Sequence, residues 1–285
     1  MGVFDHILFP TDFSCQCELA RPFVRSMAQK CGSTITVLHI IQAAARAYGM
    51  EDFYPPLDVE GMKDKLYEKL TRFMRPWEGA MGAFVEIGEP PEWIAEHARS
   101  GNFDLIMMPT HGRGKLRHFL FGSTTAKILH ELPCPVWTCA RLEDPGSAVH
   151  IECRSLLCAL DLEPGSLELL HHSAELAGTL KAALHLVHAI PYAQAWIDPP
   201  FSEQYCSALL EAANDRIADL QRQAGTNLEV WVEALPVGEL VRRTALHYNT
   251  NLVIIGRGKL HRKFGGLRTN AYGIIGSSPC PVLSF

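Results

Sequence analysis

The sequence contains no uninterrupted apolar run of about 18 residues, the length that a helix needs to cross a membrane. It also lacks the basic excess of a general nucleic-acid-binding protein, because its formal net charge is −5. The first residues show no cationic segment followed by a long apolar stretch, which predicts no signal peptide. We therefore expect neither membrane nor nucleic acid among the partners.

Cysteine is present without a pairing pattern. The nine cysteines are odd in number and scattered singly, several of them inside apolar runs where a thiol behaves as a small hydrophobe. Cys15 and Cys17 could form part of a metal or redox site, but the sequence has no second cysteine pair to complete it. A loop and the start of a helix are therefore favoured. The pattern predicts reduced thiols, no structural metal and a cytoplasmic location.

The sequence is built from two copies of one pattern. Segments of the first half return in the same order in the second half, at offsets of roughly 146 to 150 residues. The matched segments are 6–12 with 156–161, 37–40 with 186–189, 86–89 with 236–239, 104–108 with 251–255, and 133–136 with 279–282. A duplication predicts two domains, at 1–143 and 152–285, with the linker in the turn-rich segment 141–153.

Each half alternates short apolar runs with longer stretches of helical period. This alternation predicts an α/β fold: two tandem Rossmann-like or flavodoxin-like domains, each a five-stranded parallel sheet with helices on both faces. In the first half the predicted strands are 5–10, 34–41, 82–87, 104–109 and 135–139, and the predicted helices are 14–31, 58–75, 90–100 and 123–131. Segments 42–57 and 191–200 are predicted loops.

Ligands of open α/β sheets bind beyond the carboxyl ends of the strands, so the residues that follow each strand are candidates. Asp12 follows the first strand, where a short polar residue most often forms an Asx turn before the next helix. His39 and His188 end strands and are predicted to be hydrogen-bonded structural histidines.

The segment after the fourth strand combines glycine, hydroxyl groups and positive charge. Gly112 permits a close backbone approach, and residues 122–124 precede a helix whose free N–H groups and dipole can hold an anion. Residues 105–130 include no acid, and their basic residues are Arg113, Lys115, Arg117 and Lys127. A phosphate site and a solvated loop with a helix N-cap explain these residues equally well.

Gly112, nine residues, and then Gly122-Ser123-Thr124 resembles the signature of ATP-binding universal stress proteins. The Thr-Asp-Phe-Ser after strand one, the Leu-His of strand two and the Pro-Cys-Pro-Val before strand five are also similar to that family, and the resemblance covers essentially the whole chain twice. It implies that Asp12 accepts a hydrogen bond from the adenine edge. The implied nucleotide-binding residues are Pro10, Thr11, Asp12, Ile40, Met108, Pro109, Gly112, Arg113, Gly122, Ser123 and Thr124.

The resemblance further implies a stress-response module that binds ATP or a related adenine nucleotide, with or without Mg²⁺. Binding would alter the conformation of loops 42–57 and 109–124 and so present a changed surface to a protein partner. The two domains would pair through strands 135–139 and 281–285 as an internal pseudo-dimer, and two chains would form a homodimer. No catalytic residue is implied, and ATP hydrolysis would be slow at most.

Two departures from the family pattern leave alternatives open. Pro109 replaces the first glycine of the signature and has no N–H to donate. Arg268 stands where the second half should have a glycine, which favours a degenerate second site; its candidate residues are Asp161, Ala189, Gly256, Gly258, Arg268 and Thr269. The alternatives are a non-nucleotide interaction protein of the same fold and, less favoured, an adenine-nucleotide-dependent enzyme.

Overall fold

The computed structural model describes residues 3–42, 59–74, 81–110, 122–140, 151–190, 199–257 and 269–285. The chain divides into two compact units, with Met1–Val136 and Glu143–Ile151 in the first and Trp137–Leu142 and Glu152–Phe285 in the second. In each unit a sheet is flanked by helices, so the predicted α/β class is confirmed. The domain borders 1–143 and 152–285 and the pseudo-dimer stay predictions.

The first half alternates strands and helices as the apolar pattern predicts. Its elements are β1 (His6–Pro10), α1 (Cys15–Cys31), β2 (Thr34–Ile41), α2 (Val59–Met74), β3 (Met81–Ile87), α3 (Pro90–Ser100), β4 (Leu105–Met107), α4 (Ser123–Glu131) and β5 (Val136–Thr138). The strand order is β3-β2-β1-β4-β5. All of these bounds lie within two residues of the predicted ones.

Burial explains why β1 is the central strand of this order. The side chains of Ile7, Leu8 and Phe9 are fully buried, and burying each one contributes about 1.5–3 kcal/mol. Strand β4 ends at Met107, earlier than predicted, because Pro109 has no N–H with which to continue a ladder.

The second half repeats the alternation. Its elements are β6 (Ser155–Ala159), α5 (Ser166–Leu180), β7 (Ala183–Ala189), α6 (Pro199–Ala224), β8 (Val230–Glu233), α7 (Val237–His247), β9 (Leu252–Ile255), α8 (Thr269–Ser277) and β10 (Val282–Ser284). The strand order β8-β7-β6-β9-β10 matches that of the first half. The prediction that 191–200 is a loop is wrong at its end, because Pro199 and Pro200 begin α6; the fixed φ of proline suits a first helical turn.

Helix α1 starts and stops where its terminal residues dictate. Ser14 is the N-cap, and its hydroxyl accepts the Cys17 N–H at 3.4 Å. Gly32 ends the helix with φ of 74°, a left-handed conformation that glycine adopts without strain. Among the described residues no helix is both long and apolar enough to cross a membrane.

Candidate nucleotide site

The first-half sheet has its topological switch point at β1. Strand β1 pairs in parallel with β2 on one side and with β4 on the other, with Leu8 opposite Ile106. The chain runs outward through β2 and β3 and returns to β4, so the carboxyl ends of β1 and β4 are neighbours at the point where the strand order reverses, which is where open α/β sheets bind ligands. The predicted site residues follow these two strands.

The turn after β1 is fixed by its own side chains. The Thr11 N–H donates to the Leu38 carbonyl at 2.8 Å, and the Ser14 N–H donates to Asp12 Oδ1 at 2.9 Å. Phe13 between them has φ of 58°, a left-handed conformation that few non-glycine residues adopt, and its N–H donates to Thr11 Oγ1 at 3.1 Å. The predicted Asx turn at Asp12 is confirmed.

A histidine holds this turn from the neighbouring strand. His39 Nδ1 lies 2.7 Å from the Thr11 carbonyl oxygen, which can only accept, so the proton is on Nδ1. The His39 ring also contacts the Phe13 ring at a centroid distance of 4.6 Å. His188 Nδ1 donates to the Leu160 carbonyl at 2.8 Å in the second half, which confirms the predicted structural role of both histidines.

Cys17 also contacts the turn, and sequence reasoning missed this contact. Its Sγ lies 3.3 Å from Asp12 Oδ1, and the residue is only 3% exposed. Burial raises the pKa of the Cys17 thiol to about 11, with a further contribution from the negative charge of Asp12. The group is therefore a neutral S–H donor at physiological pH.

The start of α4 is tied to the end of β4. The Gly122 N–H donates to the Thr110 carbonyl at 2.8 Å, and Thr125 Oγ1 donates to the Pro109 carbonyl at 3.1 Å. Gly122 thus uses its N–H inside the protein. The N–H groups of Ser123 and Thr124, in the first turn of α4, have no intrahelical acceptor and are the groups that an anion would meet.

The structure brings most of the first-half candidates to these two strand ends. Pro10 and Pro109 are buried, Met108 is 6% exposed, and Ile40 is half-buried near the end of β2. Gly112 and Arg113 lie outside the described residues, as do the neighbouring basic positions 115 and 117.

The second half reproduces the first turn in detail. Asp161 Oδ1 accepts the Glu163 N–H and the Ser166 hydroxyl, each at 3.0 Å, and Leu162 has φ of 59°. Arg216 of α6 adds a bond to the Leu162 carbonyl at 2.7 Å. Of the other second-half candidates, Ala189 is half-buried at the end of β7, Gly256 follows β9 and Thr269 begins α8, whereas Gly258 and Arg268 lie outside the described residues.

One groove of the first domain is lined by other residues. It has a volume of about 490 Å³ and lies between α3 and α4, where charged side chains such as Glu96, Arg99 and Lys127 line it. None of the predicted nucleotide-binding residues lines this groove. Within the described ranges, no group of three or more histidine, cysteine or acidic side chains could hold a metal ion.

Comparison with known proteins gives one consistent result. The model of the universal stress protein family matches residues 4–140 and again residues 152–285. Universal stress protein MJ0577 of Methanocaldococcus jannaschii is 26% identical over 153 residues, which covers 47% of this chain and 93% of that protein.

Solved structures agree over both halves. The crystal structure of a universal stress protein from Archaeoglobus fulgidus DSM 4304 gives a TM-score of 0.70 at 18% identity and covers 99% of this chain and 96% of its own. Protein PA1789 of Pseudomonas aeruginosa PAO1, described as functionally unknown, gives a TM-score of 0.67 at 17% identity and covers 99% of this chain and 92% of its own. At these identities the likeness shows the fold alone.

Proposed function

Because this chain belongs to the universal stress protein family, with two such domains in tandem, we propose that its first domain binds ATP or a related adenine nucleotide. The nucleotide would lie across the crevice between the ends of β1 and β4. Asp12 would face the adenine edge, and Ile40 and Met108 would pack against the base and ribose. The phosphates would lie at the start of α4, with or without Mg²⁺.

One observation carries this proposal: the start of α4 is bonded to the end of β4, beside the strand that ends in the Asp12 turn. The base-binding and phosphate-binding candidates are thereby fixed to adjacent strands of one sheet. The 2.8 Å bond from the Gly122 N–H to the Thr110 carbonyl ties the first turn of α4 to the segment that follows β4, and the N–H groups of a first helical turn can bind an anion.

Charge supports the phosphate end of this arrangement. The first turn of α4 contains no acidic residue, and Lys127 follows within the same helix. A helix N-terminus without acids favours an anion by its dipole, because no side chain competes for the positive potential.

The second domain is proposed to be degenerate. It keeps the Asp161 turn with internal hydrogen bonds like those of Asp12, so the turn itself does not distinguish the two domains. Arg268, in place of a glycine, would obstruct a close backbone approach to phosphate. The chain would then act as a nucleotide-responsive module with one site, which signals to a protein partner through the loops near that site. All nine cysteines are free, as thiols are in a reducing cytoplasm, where we place the protein.

The experiment is calorimetric titration of ATP with Mg²⁺ into nucleotide-stripped protein. Thr124→Asp puts a negative charge where the phosphates would bind, while an acid in a first helical turn stabilises the helix. We expect one site per chain in the parent protein and at least about tenfold weaker binding in Thr124→Asp, since like charges repel in a site of this kind. The matched control is Asn270→Asp in the first turn of α8, which should leave ATP binding unchanged.

Three outcomes would contradict this assignment. Two sites per chain, or loss of binding in Asn270→Asp, would show that the second domain binds nucleotide. No heat and no thermal shift at millimolar ATP would refute nucleotide binding altogether.

The position of Pro109 favours a second candidate function, in which the chain binds no nucleotide. This residue offers no N–H, and its carbonyl accepts the Thr125 hydroxyl. If the parent protein binds no nucleotide, the same fold would serve as a protein-interaction module, and the turns of both domains would have structural roles only.

A further inference from the structure

Two donors contact Oδ1 of the Asp12 carboxylate. The Ser14 N–H reaches Oδ1 at 2.9 Å and the Cys17 S–H reaches it at 3.3 Å. The second domain repeats this arrangement, since Asp161 Oδ1 accepts the Glu163 N–H and the Ser166 O–H, each at 3.0 Å. The duplicated chain therefore preserves one backbone donor and one side-chain donor for this carboxylate, although the side-chain donor differs in element.

We propose that Cys17 is a positioning residue that sets the base specificity of the nucleotide site by donating its S–H to Asp12. This inference rests on the proposed function, because it assigns a specificity to the site proposed there. Cys17 does not touch the base; it acts through the orientation of the Asp12 carboxylate.

The environment of Cys17 suits this role. The side chain lies on the first turn of α1 and is almost fully buried. Its raised pKa of about 11 keeps the sulfur protonated at neutral pH, so it donates to the carboxylate instead of repelling it. The Ser14 N–H restrains Oδ1 from the turn, and the Cys17 S–H adds a second restraint on the same oxygen from α1.

A fixed carboxylate discriminates between purines by chemistry. A carboxylate can only accept, and the 6-amino group of adenine donates, whereas hypoxanthine presents a carbonyl oxygen at the same position. A site arranged to bond a donor rejects an analogue that lacks it, because the buried acceptor is then left unpaired or repelled. Weakening the hold on Asp12 should therefore reduce the preference for adenine more than it reduces phosphate binding.

The test measures dissociation constants for ATP and for inosine triphosphate, with Mg²⁺, in four proteins: the parent, Cys17→Ala, Cys17→Ser and Ser166→Ala. We expect the preference for ATP over inosine triphosphate to fall by about three- to tenfold in Cys17→Ala, the range that one net hydrogen bond supports. Cys17→Ser should retain the preference, because a serine performs this function at Asp161. Ser166→Ala should retain it because the change lies in the other domain.

A purely structural role predicts a different result. Loss of packing alone would lower the melting temperature and weaken both nucleotides equally, which leaves their ratio unchanged. An unchanged ratio in Cys17→Ala, or a ratio that falls equally in Cys17→Ser, would overturn the proposal.

A ligand-free measurement separates this inference from the proposed function. The S–H stretching band of Cys17 is the infrared band lost in Cys17→Ser, and it should shift to higher frequency in Asp12→Asn because an amide is a weaker acceptor than a carboxylate. A parent protein that binds no ATP refutes the proposed function and the specificity role with it. A parent that binds ATP, with an S–H band that Asp12→Asn leaves in place, refutes the positioning role alone.

Discussion

Asp104 should contribute strongly to the stability of the first domain, because its carboxylate links the residue before β4 to the start of β1 by hydrogen bonds. The Asp5 N–H donates to Oδ2 at 2.7 Å and the His6 N–H donates to Oδ1 at 3.0 Å, while the Asp104 N–H returns a bond to the His6 carbonyl at 3.1 Å. These bonds join the first residue before β4 to the beginning of β1. They anchor the central strand of the sheet.

The magnitude follows from the two carboxylate bonds. Hydrogen bonds to a charged group contribute about 1.5–3 kcal/mol each, and the lower end applies here because the bond to His6 is exposed. Asp104→Ala should therefore destabilise the first domain by about 3 kcal/mol. Asp104→Asn should destabilise the domain by about 1 kcal/mol or less, because an asparagine can make both bonds. The second domain shows this: Asn251, the counterpart of Asp104, accepts the Arg154 and Ser155 N–H groups with one amide oxygen, at 2.8 and 3.0 Å.

Hydrogen exchange of the native protein measures this effect with an internal reference. In Asp104→Ala the amides of β1 should exchange about a hundredfold faster, the factor that corresponds to about 3 kcal/mol, while the amides of β6 in the other domain keep their rates. Asn251→Ala is the reciprocal control and should accelerate exchange in β6. Equal protection of β1 in Asp104→Ala and Asp104→Asn would refute the reasoning, because hydrogen bonds to the amide oxygen that Asp104→Asn retains would then contribute nothing.

Two further predictions concern the backbone and the buried thiols. Gly88→Ala should lower the urea midpoint of the first domain by the equivalent of about 1–3 kcal/mol, since Gly88 has φ of 148° and a Cβ there would lie 2.9 Å from Trp93 Nε1. Gly178→Ala, in a helix with nothing within 4 Å of the added Cβ, is the control and should be neutral or stabilising. Burial raises the pKa of Cys158 to about 12 from an ordinary 9.0, so stability should be retained below pH 9 and fall by about 1.4 kcal/mol per pH unit for this thiol as pH rises toward 12. Urea titrations between pH 8 and 11 should show a shallower fall in Cys158→Ala, and a parallel fall would contradict this account.

The order of the elements was predictable because this sheet is buried and its strands are apolar runs. Ile7, Leu8 and Phe9 have no exposed surface, and the same composition that marks them as a strand in the sequence is what burial requires. Ser14 and Gly32 mark the ends of α1 by chemistry that is local in sequence, so the helix bounds could also be predicted.

The contacts that fix the site could not be predicted in the same way. Asp104 and Asn251 occupy matching places in the repeat, yet their role requires knowing that β1 and β4 are neighbours. Cys17 and Ser166 each donate to the aspartate of their turn, but one is a thiol and the other an alcohol, so the sequence does not show that they are equivalent. A residue-by-residue alignment of the two halves was the signal that could have shown it. Gly112 and Arg113 lie outside the described residues, so their roles stay predictions.

The Asp-containing turn has a consequence for how relatives of this chain are interpreted. In the second domain Asp161 Oδ1 accepts the Glu163 N–H within a turn that contains the left-handed Leu162, and it also accepts the hydroxyl of Ser166, the first residue of α5. An aspartate with such a folding role would be maintained by selection after a ligand had been lost. Its presence in a homologue is therefore weak evidence for nucleotide binding. The residues at the start of the helix after the fourth strand are more informative.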